Sequence, residues 1–419
     1  MRFPRFTLPL IFALSTSSLS AAQTLSVVDL TEGMTTTIQI EGCGAGERVQ
    51  LAYSLAGVGP ISTSYGQVDL SHPIVTPPVL TADSQGVAAL QASVPQGSGG
   101  LAVWFHAVNL TTAQLTNSLA EVIASAPAGM VLVPAGQFVM GDHAGIGQAD
   151  ELPLHTVALD GFWMDACEVT TQAYVDFLNT AHSLGEVVVQ QGVVYGAPNG
   201  KLYCDTFVSN YDSRIEWNGS VFSSARGKKN HPMLKVSWYG SCAFSNWRSL
   251  QEGLLPCYDL NTWVCDFSAN GFRLATEAEW EYAARGGESQ YQLYPWGSTL
   301  SGSYANFFAS GDPYELTWPS TTPVGYYDGG QFPSGSDMAN GFGLYDMAGN
   351  LYEWCNDWYD ASYYAQSPSN NPFGPNAGTY RILRGGSWNS TAPYLRNALR
   401  GGDGPERRNS YVGFRCVCK

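Results

Sequence analysis

The sequence predicts an α+β protein of two domains: an N-terminal β-sandwich, then a larger domain low in regular secondary structure. Three observations carry this reading. Before residue 126, apolar and β-branched residues alternate between Gly and Pro turns. From Met130 onward Trp, Tyr, Gly and Asn become more frequent. In that second region a few capped helical segments stand between long irregular stretches. A chain of 419 residues has room for two or three domains. With 44% hydrophobic and 13% charged residues and 46 Gly, it is loop-rich and globular, not disordered.

Residues 1–22 read as a secretory signal peptide. Arg2 and Arg5 form a basic start, Phe6 to Leu14 an apolar stretch, and Ser20-Ala21-Ala22 a small-residue cleavage site before Gln23. No cysteine follows the apolar run closely, so a lipoprotein anchor is not expected. No later stretch has the roughly 20 apolar residues needed to span a bilayer. The expectation is a secreted or periplasmic protein. A net charge of -15 argues against nucleic acid or an anionic membrane as partner, and is compatible with cation binding.

Residues 23–126 form the first unit. Thr35 to Ile40 and the Val49-Gln50-Leu51 alternation read as strands, and Leu101 to Phe105 as a buried one. Turn signals between them point to an antiparallel sandwich. His72 and His106 are isolated, so the unit reads as a structural or adhesive module. Ile123 to Gly129 is a short linker.

In the second domain, 130–419, Thr170 can cap a helix through Tyr174 and Leu178, and Ser237 a second through Phe244 and Trp247. Thr276-Glu277-Ala278-Glu279 is a capping box opening a third helix, Trp280 to Arg285, stopped by Gly286-Gly287. An exported chain with nine cysteines is expected to form disulfides. Cys257 and Cys265 bracket a short loop and are expected to pair. The other connectivities stay open, and the odd count leaves at least one thiol free or intermolecular.

An ordered series of strings fills this domain. It runs from MVLVPAGQFVMGD at Met130 and ELPLHTVALDGFWMDACEVTTQAYVDFLN at Glu151 to HPMLKVSW at His231 and GFRLATEAEWEYAARGG at Gly271. Then come NGFGLYDMAGNLYEWCNDWYD at Asn340 and the closing RGGSW and GFRC. The series closely resembles the formylglycine-generating enzyme (sulfatase-modifying factor) family over nearly all of 130–419. The resemblance implies a fold related to C-type lectins and bound calcium. Asn306 with the carbonyl of Phe307, joined by Asp312 and the carbonyl of Tyr314, resembles the family's first calcium site. Asp346 and Glu353 with the carbonyls of Gly349 and Leu351 match the second, a set of hard oxygen donors suited to calcium. Read without the resemblance, Asp346 caps a turn and Glu353 makes a salt bridge.

The family's oxidase turns a substrate cysteine into formylglycine with two copper-binding cysteines five residues apart after RGGSW. Ser390 and Leu395 stand at those positions. A serine hydroxyl is a hard, weakly acidic donor and leucine has none, so neither replaces a thiolate ligand of Cu(I). Copper is therefore not expected, and the reading is a pseudoenzyme. Cys416 and Cys418 form a C-x-C pair, but Cys416 matches a position the family uses structurally. Iron-dependent branches of the family carry a three-histidine cluster on a separate helical domain, which is absent here. His155 and His231 are expected to hydrogen-bond backbone groups.

What the closing segment offers instead is a recognition surface of Ser387, Trp388, Asn389, Ser390, Tyr394, Leu395, Arg396, Arg400 and Tyr411. Tyr, Trp and Arg are the usual anchors of protein recognition. The expected partner is a protein or peptide. Arg384, Arg396 and Arg400 have an alternative reading, as structural partners of domain carboxylates. Two other functions stay open: an oxidase with an atypical metal arrangement, and a diversified binding protein of the retroelement type, which places its variability between RGGSW and GFR.

Overall fold

The computed structural model describes residues 23–28, 30–95, 97–287 and 290–419. The proposed signal segment lies outside the described residues. The chain divides into two compact units, one ending at Ser125 and the other running from Ala126 to Lys419.

In the first unit Thr35–Glu41 pairs antiparallel with Thr24–Val28 on one side and Ala88–Ser93 on the other. A second sheet is built on Arg48–Ser54 and Ala102–Asn109, paired antiparallel from Val49↔Asn109 to Ser54↔Trp104. Period-two alternation turns Leu25, Ile38 and Ile40 of the first sheet and Val49, Leu51, Val103 and Phe105 of the second into one buried cluster. The strands expected from Thr35 and Val49 are present and run one to three residues further at an end. The strand expected from Leu101 instead begins at Ala102 and runs to Asn109, with Leu101 itself exposed.

The described residues of the second unit hold three α-helices: α1, Thr171–Ser183; α2, Trp238–Gln251; and α3, Glu277–Ala284. Each starts where its cap stands. Thr170 accepts from the Ala173 amide and Ser237 from the Gly240 amide. Thr276 and Glu279 complete both halves of the capping box. Gly286 and Gly287 follow α3 at φ +64 and +75, a conformation costly for residues with a Cβ.

Two four-stranded sheets frame the unit. One runs Met130–Val133, Phe162–Asp165, Cys416–Cys418, Arg273–Leu274, so the C-terminal strand is tied to the unit's first strands. The other runs Gly401–Asp403, Arg381–Arg384, Tyr352–Trp358, Val412–Gly413. Four tryptophans are fully buried: Trp163, Trp238, Trp280 and Trp354. A buried indole usually finds an acceptor for its N–H, and all but Trp163 do. Trp238 donates to the Cys355 carbonyl at 3.0 Å, Trp280 to Glu353 at 2.8 Å and Trp354 to the Val236 carbonyl at 3.2 Å.

All nine cysteines are free. The expected Cys257–Cys265 bond is not formed. An isolated β-bridge pairs Tyr258 with Cys265, which puts Cys257 one residue out of register with it. The Cys257 thiol instead donates to the Gly271 carbonyl at 3.3 Å.

Candidate functional site

Both ends of the closing segment lie on one strand. Glu353, in Tyr352–Trp358, is paired on one side with Arg384 and on the other with Gly413. The polar loop between them is thus anchored at its base. Gly385 (φ +91) and Gly386 (φ +74) turn the chain out of the sheet. A Cβ on Gly386 would lie 2.7 Å from the Tyr394 carbonyl oxygen, so the returning loop packs directly on this turn.

The turn opens a pocket of about 350 Å³ lined by Tyr352, Ser387, Asn389, Ser390, Thr391, Tyr394 and Tyr411. Its lining is uncharged: three phenols, three hydroxyls and one amide. The Ser390 hydroxyl lies 3.2 Å from that of Ser387 and accepts from the Ser387 amide at 3.0 Å. The Ser390 carbonyl takes the Phe308 amide at 2.9 Å. Burial pushes the Tyr352 phenol up, and a hydrogen bond with Ser390 partly offsets this. Tyr394 is 49% exposed at the rim. No cysteine lines the pocket.

Four residues expected on this surface are interior. Leu395 packs with Tyr294, Ala305 and Ala348. Trp388 packs with Leu234 and Leu351, and its indole donates to the Ser410 carbonyl at 3.0 Å. Arg396 makes a two-pronged pair with buried Glu151, both contacts 2.7 Å. Arg400 does the same with Glu277 at 2.7 and 2.9 Å. The physical reason lies on α3 and near Asp150. Buried carboxylates need cations, and a guanidinium matches a carboxylate fork for fork. Glu281 follows the same rule: burial alone would raise its carboxyl, but Arg285 and Arg384 hold it below the usual range. Glu279 is likewise held down by Arg273 against its burial. Ser387 and Ser390 are buried as well, although they line the pocket. The accessible part of the expected surface is Asn389, Tyr394 and Tyr411, joined by Tyr352 and Thr391, which the sequence reading missed. Tyr352 was findable: it sits on the strand that anchors both ends of the loop.

The donor set that could hold calcium is partly engaged. Glu353 accepts from Arg415 Nε and Nη2 and from the Trp280 indole, with contacts of 2.7 to 3.0 Å. Asp346, at φ +57, accepts from the Gly325 amide at 2.6 Å. Beside it lies Glu168, absent from the sequence reading. Glu168 is buried, with one oxygen lacking any partner and the other 3.4 Å from Asn350 Nδ2. Burial pushes the Asp346 carboxyl up to about 6. Glu168 is pushed well up by burial, then by Asp346 and Glu353, against the pull of Arg415. Three carboxyl groups thus neighbour one guanidinium, and burial holds two of them, Asp346 and Glu168, toward the neutral form. At the other set, Asn306 Oδ1 is buried without a partner. The Phe307 and Tyr314 carbonyls and the Asp312 carboxylate already accept local turn hydrogen bonds. Among the described residues, no three His, Cys, Asp or Glu side chains converge in metal-binding geometry.

Cys416 and Cys418 are buried on the C-terminal strand, against Ser245 and Met130. Burial pushes the Cys416 thiol up to about 12 and Cys418 higher still, so both are protonated and poor ligands for copper. His155 Nδ1 donates to the Pro153 carbonyl, 3.2 Å away, a backbone group as expected. His231 instead meets the Thr321 hydroxyl at 3.1 Å. No described helix is long and apolar enough to cross a membrane.

Comparison with known proteins identifies the framework. The sulfatase-modifying factor enzyme 1-like domain matches residues 117–419. The chain belongs to this family. It is 34% identical to the formylglycine-generating enzyme of Streptomyces coelicolor over 69% of this chain and 88% of that one. It is 36% identical, over the same share, to a protein of Chlamydia caviae named serine/threonine-protein kinase pkn1. The chain spans a little over a third of that protein's length, 37%. An inactive Cα-formylglycine-generating enzyme 2 from Bos taurus is 28% identical over 69% of this chain and 87% of that one. Among solved structures, Treponema denticola variable protein 1 aligns with a TM-score of 0.49 at 25% identity, covering 72% of this chain and 96% of that one.

Proposed function

We propose that this member of the sulfatase-modifying factor family is an exported binding protein that uses the pocket beneath RGGSW to recognise a protein or peptide segment, not to oxidise cysteine. The observation that carries the reading is the pocket lining. It offers hydroxyls, an amide and three phenol rings, with neither thiol nor charge. Such a surface suits an extended chain held by ring contacts and hydrogen bonds. Copper does not fit the donor set, because Ser390 and buried Leu395 occupy the two positions that need thiolates. Calcium does fit. Asp346 and Glu168 would hold it, with the carbonyls of Gly349 and Leu351 as further donors, and it would clamp the base of the closing loop. Glu353 would act as the partner of Arg415. We further propose that the first unit is a two-layer sandwich and that the second is related to C-type lectins.

One experiment tests the central claim. Purified protein, with and without Cu(I), is incubated aerobically with a Cys-x-Pro-x-Arg peptide and the product mass is measured. The expected result is unchanged peptide under both conditions. An aldehyde product would overturn the binding reading in favour of the oxidase, which the 34% identity to the Streptomyces coelicolor enzyme keeps as the second reading.

A further inference from the structure

A second cavity lies on the loop 224–231. It measures about 550 Å³ and is lined by Arg226, Lys228, Lys229, His231 and Tyr314 among others. In a chain of net charge -15, Arg214, Arg226, Lys228, Lys229 and Lys235 are five of only 20 lysines and arginines. Backbone hydrogen bonds hold the loop in place. The Lys228 amide donates to the Ala225 carbonyl, the His231 amide to Lys228, and the Gln172 amide to the Lys229 carbonyl.

Buried Arg214 stands behind the loop. It donates to the Thr321 hydroxyl at 2.5 Å and to the Pro319 carbonyl at 2.9 Å, and its Nε has no partner. Elsewhere among the described residues a buried arginine meets a carboxylate: Arg273 with Glu279, Arg384 with Glu281, Arg396 with Glu151, Arg400 with Glu277, Arg415 with Glu353. Arg381 lacks one but lies 3.7 and 3.5 Å from the Trp238 and Trp358 ring centroids. Arg214 has neither. Asp212, the near carboxylate in sequence, is taken by Lys235 at 3.5 Å and by the Trp318 indole at 3.0 Å.

The consequences show in the neighbours. Burial, then Arg214, lowers Lys228 to about 8, and burial, Arg214 and Lys228 lower His231 to about 3. No carboxylate counters these shifts. The Thr321 hydroxyl accepts from Arg214 and lies 3.1 Å from His231 Nδ1, so it bridges the guanidinium and the imidazole. Uncompensated positive charge at the wall of an open cavity is costly unless an anion neutralises it. The Tyr314 ring adds a flat wall, with His231 5.3 Å away edge-on.

We propose that this cavity is an oxyanion site that takes a sulfate or phosphate monoester carried on a small ring. Lys228 and Arg226 meet the anion, Arg214 supplies the fixed charge behind it, and Tyr314 receives the ring.

The test is calorimetric titration of the full chain at constant ionic strength with sodium phosphate, sodium sulfate and glucose 6-phosphate, with sodium chloride as control. Saturable binding is expected, tightest for the ester. Free phosphate or sulfate binding as tightly as the ester would restrict the site to the inorganic ion and overturn the ring assignment. Arg226→Gln with Lys228→Gln, both on the loop, should weaken binding at least tenfold while the melting temperature stays put. Arg214→Met should abolish binding; because it also removes the hydrogen bonds to Thr321 and Pro319, affinity is read at a temperature at which its melting curve shows the variant folded. Absence of saturable heat for all three anions, or unchanged affinity in the Arg226→Gln/Lys228→Gln protein, would refute the site.

Discussion

Replacing Arg400 with methionine should destabilise the second unit severely and leave no specific mark on a surface. Arg400 is buried, and its guanidinium meets Glu277 at two points, the Asp150 carbonyl at 2.8 Å, the Asp360 carbonyl at 3.3 Å and the Tyr364 ring at 4.1 Å. Methionine keeps much of the stem and removes every donor. It leaves Glu277 buried near Asp357, whose carboxyl burial and Glu277 already push well up, with Arg384 3.8 Å away. Breaking a buried pair by deleting one partner costs about 3–5 kcal/mol. For a large unit each kcal/mol moves the melting temperature by about 2 °C, so a fall of roughly 6–10 °C is expected. Arg400→Lys keeps charge but loses the fork and should cost about 1.5–3 kcal/mol. Adding Glu277→Leu to Arg400→Met removes the stranded carboxyl group and should recover part of the loss. The assay is thermal and urea unfolding of the wild type, the two single variants and the double. If Arg400→Met melts within about 1 °C of the wild type, Arg400 is not the structural anchor described here.

Three further outcomes are expected. Burial pushes the Asp346 carboxyl up to about 6 from its usual value near 3.9, so without metal its penalty grows as pH rises from about 4 to 6 and is complete above that. Calcium binds the ionised form, so it should raise the melting temperature more at pH 7 than at pH 5. An equal gain at both, or none, would count against the Asp346–Glu168 site. Gly386→Ala should destabilise by about 2 kcal/mol, because it adds a Cβ at positive φ against the Tyr394 carbonyl, and denaturant titration would measure it. Intact mass of alkylated, denatured but unreduced protein should show Cys257 and Cys265 both modified. A bridged pair resisting alkylation would contradict the register at Tyr258.

The elements legible in the sequence were those governed by local chemistry. Thr170, Ser237 and Thr276 mark helix starts because an N-cap depends on atoms within three residues of it. Strands such as Thr35–Glu41 announce themselves by alternation. The Cys257–Cys265 expectation failed because proximity in sequence says nothing of register, and one residue of offset separates two side chains across a bridge. The arginines failed differently. A guanidinium looks the same in sequence whether it faces solvent or a buried glutamate. Arg396 finds Glu151, 245 positions away, and Arg400 finds Glu277, 123 positions away.

The sequence by itself determined the family frame, the caps and the strands, since each is read from residue identity and short spacing. Only the tertiary structure decided which polar residues are free. It turned Arg396, Arg400, Trp388 and Leu395 inward, brought Tyr352 and Thr391 to the pocket, set Glu168 beside Asp346, and left Arg214 without a carboxylate. Those outcomes depend on which charges meet across the fold, and burial makes each such meeting, or its absence, energetically large.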